Sequence, residues 1–212
     1  MLISDNLNQI KSQIPDYVTL VAVSKTKPNN LLMQAYDAGQ RHFGENYVQE
    51  LVDKSQQLPK DICWHFIGHL QSNKVKYIAP FVHLIHGVDS FGLLKEINKQ
   101  AEKHNRIINC LLQIHIAQED TKFGFSLLEA KEILRSQNFK DLKSVLIKGF
   151  MAMASNTEDS GQIRKEFKSI HDFSKEFSNH SILSYGMSSD YQIAIEEGSN
   201  MIRVGSSIFG QR

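Results

Sequence analysis

Short apolar segments rich in Val, Ile, Leu and Phe alternate along this chain with longer segments whose apolar residues recur every three or four positions. The short segments predict β-strands, and the longer ones predict amphipathic helices. Regular alternation of the two is typical of βαβ units, in which helices cross over between parallel strands. Strands are predicted over residues 19–24, 42–44, 63–67, 83–88, 107–114, 145–151, 182–184 and 201–204.

Capping signals indicate where helices begin between these strands. Ser90 precedes one amphipathic segment, and Ser126 with Glu129 forms a capping box before the next. One apolar stripe continues from Ile163 to Phe177, which predicts a helix that packs on the sheet. Three apolar residues at helical spacing predict an extra helix before the first strand: Leu7, Ile10 and Ile14.

Eight strands with helical crossovers either close into a barrel or remain an open, doubly wound sheet. Dinucleotide-binding sheets carry a GxGxxG turn after the first strand, whereas VAVSKTKP contains no glycine there. We therefore predict an α/β fold with a single (β/α)8 TIM barrel. A length of 212 residues suits one barrel and no linker or repeat divides the chain, so residues 1–212 are expected to form one domain.

Charge and cysteine content argue against several classes of protein. With 24 Lys and Arg against 23 Asp and Glu, a net charge of +1 argues against nucleic-acid binding through a bulk positive field. No apolar run has the length of a membrane span, and the N-terminus does not resemble a signal peptide, so we expect no membrane association. Cys63 and Cys110 are isolated, which predicts reduced thiols in the cytoplasm and neither a disulfide nor a zinc site.

Lys25 directly follows the first predicted strand, in VAVSKTKP. Active sites of barrels lie at the carboxyl ends of the strands, where packing holds the stem of a lysine while its amine faces the mouth of the barrel. An amine shielded from water is more readily deprotonated and so becomes a nucleophile that forms Schiff bases. Lys25 is therefore a candidate Schiff-base lysine. The alternative is a solvated loop lysine, as we expect Lys27 to be.

Glycine and serine residues follow both the seventh and the eighth predicted strands. They are Gly186, Ser188 and Ser189 after the seventh strand, and Gly205, Ser206 and Ser207 after the eighth strand. Arg203 lies within the eighth predicted strand. Hydroxyl and N–H groups at helix starts favour anions, and the loops after these two strands commonly bind phosphate in barrels. Either segment alone is better explained as an ordinary capped turn, with Ser189 and Gln192 expected to cap a helix. Their occurrence at matching strand ends predicts a phosphate site.

Two further candidate residues lie in short motifs. Asn46 follows the second predicted strand in FGENYVQE, and His65 lies within the third in WHFIGHLQSNK. A lone histidine on a strand is usually a hydrogen-bonded core residue. His65 and His69 have the spacing of metal ligands on a helix, but His65 is on a strand and no carboxylate completes a site. We therefore predict no metal site.

Taken together, these motifs resemble the pyridoxal-phosphate homeostasis protein family, whose members have the barrel of the alanine racemase N-terminal domain, fold type III of pyridoxal-phosphate proteins. In chain order they are VAVSKTKP, FGENYVQE, WHFIGxLQxNK, GFMAM, YGMSSD and IRVGSSIFG, and they extend from Val21 to Gly210. Six ordered motifs are more specific than any one of them. The resemblance implies that the cofactor is pyridoxal 5′-phosphate (PLP), held as an internal aldimine on Lys25.

The resemblance also implies which other residues surround the cofactor. Its phosphate would be bound by Ser188, Ser189, Gly205 and Ser206. Around the ring, Arg203 would point at the pyridine nitrogen, Asn46 and His65 would lie nearby, and Met153 would make a contact. No catalytic residue is implied.

Three features depart from the family's pattern. His69 stands where the family commonly has proline, and Phe123 replaces the small residue usual between Lys122 and Gly124 in a K-[ST]-G motif. The chain stops at Arg212, without the short tail ending in tyrosine that many members carry. These departures affect the expected shape of local loops rather than cofactor binding.

The resemblance implies a protein that supplies and buffers PLP, without robust enzymatic activity, and with apo PLP-dependent enzymes as candidate partners. A cationic Arg203 beside the pyridine nitrogen would oppose its protonation and weaken the ring as an electron sink. The alternative is a PLP-dependent amino-acid racemase or decarboxylase, since alanine racemase has such an arginine too.

A PLP carrier and an amino-acid racemase differ in their need for a second catalytic base. The resembled racemases take that base from an appended domain of a partner subunit. We expect this chain to lack the domain and to be a monomer. A phosphosugar-type barrel enzyme without PLP is a third alternative, but it would leave Lys25 without a role.

Overall fold

The computed structural model describes residues 2–119, 123–177 and 179–211, and within these ranges eight parallel strands form a closed barrel. The strands are β1 Thr19–Val23, β2 His42–Glu45, β3 Cys63–Phe66, β4 Leu84–Val88, β5 Ile108–Ile114, β6 Val145–Ala152, β7 Ile182–Ser184 and β8 Met201–Val204. Each strand pairs with the next in the chain, and β1 also pairs with β8, which closes the sheet. The predicted (β/α)8 barrel is therefore confirmed, and each predicted strand ends within one residue of the observed one.

Helices connect the strands and surround the barrel. They are α1 Ile3–Gln13, α2 Asn29–Asp37, α3 Val48–Gln57, α4 Val75–Ile78, α5 Phe91–Lys103, α6 Leu127–Arg135, α7 Gln137–Lys140, α8 Ser160–Ser174, α9 Tyr191–Glu196 and α10 Ser206–Phe209. The predicted extra helix before the first strand is α1, which buries Leu7 and Ile10. Among the described residues, no helix combines the length and the apolar character that crossing a membrane requires.

Two of the three predicted caps form. The Ser90 hydroxyl accepts the N–H of Leu93, and Ser126 with Glu129 makes the full capping box of α6. The predicted cap of α9 by Ser189 is wrong. The residue before α9 is Asp190, whose carboxylate accepts the N–H of Met187 at 2.6 Å and so holds the preceding turn closed instead.

The apolar core has two layers because successive residues of a strand point to opposite faces. A small cluster takes one residue from each of five strands: Val21, Leu84, Leu111, Met151 and Met201. Their neighbours along the strands, such as Leu20, Ile85 and Ile202, belong to a separate and much larger cluster that includes the helices. The small cluster therefore fills part of the barrel interior, and the large one joins the strands to the surrounding helices.

Barrel closure determines which distant segments meet. Because β1 lies between β2 and β8, and β7 lies beside β8, the residues that follow these four strands gather at one end of the barrel. This is the carboxyl end, where barrel proteins carry their functional sites.

Candidate functional site

A cavity of about 460 Å³ opens at the carboxyl ends of the strands. The residues predicted from sequence that line it are Lys25, Asn46, Met153, Ser188, Ser189, Arg203, Gly205 and Ser206. These come from the ends of β1, β2, β6, β7 and β8, so residues far apart in the sequence share one cavity. Of the nine residues named from sequence, His65 alone does not line it.

His65 is fully buried within β3 and belongs to a chain of side-chain hydrogen bonds inside the barrel. Its Nε2 lies 2.9 Å from Nδ1 of His42, and its Nδ1 lies 2.8 Å from Nε2 of His86. The chain continues from Nδ1 of His86 to Oγ of Ser184 at 3.1 Å, and that oxygen accepts a hydrogen bond from Arg203 at 2.8 Å. We call this series the histidine chain. It connects the start of β2 to the wall of the cavity.

The histidines within the barrel are neutral at physiological pH. Burial holds the pKa of both His65 and His86 well below the ordinary value, and neighbouring imidazoles and Arg203 lower them further. A neutral imidazole donates through one nitrogen and accepts through the other. The histidine chain therefore satisfies buried polar groups without placing a charge inside the barrel.

A buried network fixes the backbone beside Lys25. The ammonium group of Lys54 donates to the carbonyl of Ser24 at 2.8 Å and to the carboxylate of Glu45 at 2.8 Å. Ser24 Oγ donates to the same Glu45 oxygen at 2.6 Å. After Lys25, the chain turns through Thr26 at φ +63°, a region that β-branched residues rarely adopt. These contacts hold Lys25 in a constrained turn at the cavity wall.

Arg203 contributes a buried positive charge to the same cavity. Its guanidinium donates to the carbonyls of Ser184 at 2.7 Å and Ala152 at 3.1 Å, besides its bond to the Ser184 hydroxyl. Burial lowers the pKa of Arg203 to about 10, against a raising effect of Asp190, so the group stays charged at neutral pH. A charge fixed in this way favours anionic or electron-rich ligands in the cavity.

The loops after β7 and β8 lie against each other. The N–H of Gly205 donates to Oγ of Ser188 at 3.4 Å, which joins the two loops directly. Gly186 has φ +98°, and a Cβ there would lie 2.6 Å from Cβ of Ala194. Only glycine fits this turn, and the turn directs Ser188 and Ser189 toward the cavity.

Asn46 carries a side-chain oxygen that is buried and has no hydrogen-bond partner among the described residues. Buried polar atoms are normally paired, so an unpaired acceptor in a cavity wall marks a position where a ligand donor fits. The cavity thus offers an amine, a fixed cation, serine hydroxyls and an open acceptor. That combination suits a small anionic ligand that carries polar groups.

Sequence reasoning missed part of the site. Lys27 lines the cavity, and it is not a solvated lysine as expected, because its ammonium group donates to the carbonyls of residues 209–211. His86 and Ser184 occupy inward positions of their strands, two residues from Leu84 and Ile182. Alternate residues of a strand point to the same face, so the positions of Leu84 and Ile182 could have identified both residues as inward-facing. The pairing of Lys54 with Glu45 had no signal in the sequence.

Two of the departures from the family's pattern contact each other. The rings of His69 and Phe123 stack with centroids 4.3 Å apart, and His69 also bonds Asp89 at 3.0 Å. A ring pair thus occupies the loops after β3 and β5, where the family pattern has a proline and a small residue. Lys122, the lysine of the K-[ST]-G motif, lies outside the described residues.

The buried carboxyl group of Glu45 should make stability depend on pH. Burial raises its pKa from 4.5 to about 6, although Lys54 and Ser24 lower it in part. The folded state therefore keeps a proton that the unfolded chain loses, and this stabilisation is present below the unfolded pKa and lost as pH rises through 6. Relative to Glu45→Gln, the parent's free energy of unfolding should fall by about 2 kcal/mol between about pH 4 and about pH 7. Urea unfolding across this range measures it, and a pH-independent difference would contradict the assignment.

Comparison with known proteins agrees with the fold and the motifs. The family model for the alanine racemase N-terminal domain matches residues 2–212. The pyridoxal phosphate homeostasis protein of Schizosaccharomyces pombe is 39% identical, with 97% of this chain and 91% of that protein covered. The protein of the same name from Escherichia coli K12 is 36% identical, with 99% and 97% covered.

Solved structures extend the comparison. PipY of Synechococcus elongatus without PLP superposes with a TM-score of 0.92 at 34% identity, covering 98% of this chain and 100% of that one. The same protein with PLP bound gives a TM-score of 0.88 at the same coverage. An alanine racemase of Clostridium difficile shares the fold at a TM-score of 0.80 but only 15% identity, and this chain covers 59% of it. This chain therefore belongs to the pyridoxal phosphate homeostasis protein family, within the alanine racemase N-terminal domain fold.

Proposed function

We propose that this protein binds pyridoxal 5′-phosphate and acts in cofactor homeostasis, as a carrier or buffer of PLP. The observation that carries the proposal is the cavity at the carboxyl end of the barrel, which combines Lys25 with Arg203 and two serine-bearing loops. The names of its relatives and the PLP bound to PipY support it. When bound, PLP supplies an aldehyde that condenses with a primary amine, releasing water, to form a Schiff base.

Lys25 is the proposed amine. The Lys54 network and the turn at Thr26 hold its backbone on one wall of the cavity, so little freedom is lost when Nζ forms a bond there. Arg203 lies in β8, the strand paired with β1, and lines the same cavity as Lys25. This placement supports Lys25 over a surface lysine as the site of covalent attachment.

We propose that the phosphate lies between the loops after β7 and β8. Ser188, Ser189 and Ser206 offer hydroxyl donors, and the N–H of Gly205 lies beside Ser188. A dianion there would replace the weak 3.4 Å contact between Gly205 and Ser188 with shorter, charge-assisted bonds. Arg203 would then face the pyridine nitrogen, with Asn46 and Met153 beside the ring.

The described lining residues include one group suited to proton transfer, which favours a carrier role over the racemase or decarboxylase alternative. Racemisation removes a proton from one face and returns it on the other, which needs two positioned groups. Among the described lining residues, the titratable groups are Lys25, Lys27 and Arg203. Lys27 donates to three carbonyls, and Arg203 stays charged at neutral pH. Among these three residues, Lys25 is therefore the one suited to proton transfer.

Partners and compartment follow as proposals from the same chemistry. Apo PLP-dependent enzymes are candidate recipients of the cofactor, and the one domain of residues 1–212 is proposed to act as a monomer. Cys63 and Cys110 are free thiols, which supports a reducing, cytoplasmic environment.

Replacing Lys25 with alanine should abolish covalent attachment of PLP. Borohydride reduces a Schiff base to a stable secondary amine, so the labelled peptide can be mapped by mass spectrometry. We expect one labelled lysine, Lys25, and loss of both the label and the visible absorption of the Schiff base in Lys25→Ala. Lys27→Ala is the matched control, since Lys27 lines the same cavity, and it should keep the label. A label that maps mainly to Lys74 or Lys148 would overturn the assignment.

The PLP-loaded protein should not turn over amino acids at an ordinary enzymatic rate. We expect fewer than about 1 turnover per second with L- and D-alanine, serine and lysine, because the described residues that line the cavity include no second base. Chirality, deuterium exchange at the α-carbon and release of carbon dioxide are the readouts. Faster turnover that disappears in Lys25→Ala would instead establish the racemase or decarboxylase alternative.

A further inference from the structure

Three side chains that commonly bind metals meet at the amino-terminal end of the barrel, opposite the cavity. His42 begins β2, Cys63 begins β3, and His83 immediately precedes β4. One nitrogen or sulfur atom of each lies within 4.8 Å of the others. We propose that these residues bind a thiophilic divalent cation of the zinc class. We call this cluster the basal site.

The sheet itself places the three residues together. His42 and Cys63 are directly paired across β2 and β3, so their side chains leave the sheet on the same side. The N–H of His83 donates to the carbonyl of Trp64, which brings His83 beside the start of β3. Backbone hydrogen bonds of the barrel therefore position all three, and no flexible loop has to order when a metal binds.

The donor set matches zinc chemistry. Zinc prefers imidazole nitrogen and thiolate sulfur in tetrahedral geometry, with bonds of about 2.0 to 2.3 Å. Ligand atoms around such an ion lie about 3.5 Å apart, so the side chains must close by roughly 1 Å. His83 is exposed and Cys63 is partly exposed, which gives both the ion and the side chains room to move. Water would supply the fourth ligand.

Charged groups near the basal site already have partners. Asp61, two residues from Cys63, is paired with Arg41, and Arg106 bonds two backbone carbonyls. Metals bind imidazole in its neutral form and cysteine as the thiolate, so binding would release the proton of the Cys63 thiol.

The histidine chain gives the basal site an outer shell of support. Nδ1 of His42 already bonds His65, which leaves Nε2 for the metal. A neutral imidazole that binds metal through Nε2 carries its proton on Nδ1, and such a proton is usually donated to an outer partner. That donation requires His65 and His86 to carry their protons on Nδ1 as well. His65 then donates to His86, and His86 donates a hydrogen bond to Oγ of Ser184. Without a metal, hydrogen bonds along the histidine chain can be donated in either direction. A metal on His42 would fix the direction of donation from His42 toward Ser184.

The basal site was not visible in the sequence. Its ligands come from the starts of β2 and β3 and from the residue before β4, and they match no short metal-binding motif. The expectation of no zinc site considered only the cysteines and the pair His65 and His69. The proposal is independent of PLP binding, because it involves no residue of the cavity wall as a ligand.

Cobalt and zinc titrations of the untagged full chain test the proposal. Co²⁺ should give the absorption of a tetrahedral site with a thiolate-to-cobalt charge-transfer band. Zn²⁺ should compete with a chromophoric chelator with a dissociation constant of about 1 µM or lower, and removal of one ligand should weaken binding at least about tenfold. Cys63→Ala and His83→Gln remove ligands. Cys110→Ala and the exposed His104→Gln are matched controls that should bind like the parent.

Two results would overturn the proposal. Absence of the thiolate band in the parent, or Zn²⁺ binding that is unchanged in Cys63→Ala and His83→Gln, excludes the basal site. His83 is exposed, so His83→Gln decides the outcome even where Cys63→Ala fails to fold.

Nitrogen-15 NMR of the histidines tests the link to the histidine chain. In the zinc-loaded protein, His65 and His86 should both carry the proton on Nδ1. A proton on Nε2 of either residue in that state would contradict binding through Nε2 of His42, because two donors would then face each other. The readout is spectroscopic and does not depend on any activity of the protein.

Discussion

The pairing of β1 with β8 is the constraint on which the rest of the structure depends. It closes the sheet and places Val21 beside Arg203 in register, so the strand that leads to Lys25 adjoins the strand that leads to Gly205. Without closure, these segments would lie at opposite edges of a sheet, far apart. The cavity exists because parallel strands end at the same side, and closure brings the first and the last of them together.

A second constraint is the polar content of the barrel interior. Val21, Leu84, Leu111, Met151 and Met201 make part of the interior apolar. Inward polar residues of β3, β4, β7 and β8 form the part of the histidine chain that leads to Arg203. Burying polar groups is costly unless each has a partner, and here both imidazole nitrogens of His65 and of His86 have one. Glu45 differs from them, since Oε2 of its carboxylate is buried without a partner among the described residues and its pKa is raised. The interior thus holds Arg203 in place by hydrogen bonds rather than by close packing alone.

The sequence predicts most of the fold because the local signals agree. The eight apolar runs, the caps at Ser90 and Ser126, and the helix before β1 depend on neighbours within a few residues, so pattern and structure coincide. Predictions that depend on distant partners succeed less often. Lys27, for example, bonds carbonyls at the far end of the chain. One local signal failed as well, because Asp190 and not Ser189 directly precedes α9. The basal site needs the register of β2 against β3, which local patterns do not contain.

The affinities of PLP and of pyridoxal, which lacks the phosphate, test most directly whether the loops after β7 and β8 complete one cofactor site with Lys25. The comparison is between the parent and the double variant Ser188→Ala with Ser206→Ala. A hydrogen bond to a charged group is worth about 1.5 to 3 kcal/mol, so PLP should bind at least about tenfold more weakly to the variant, while pyridoxal binds both proteins equally. If PLP bound both proteins equally, and no more tightly than pyridoxal, the phosphate would lie elsewhere and this account of the site would be wrong.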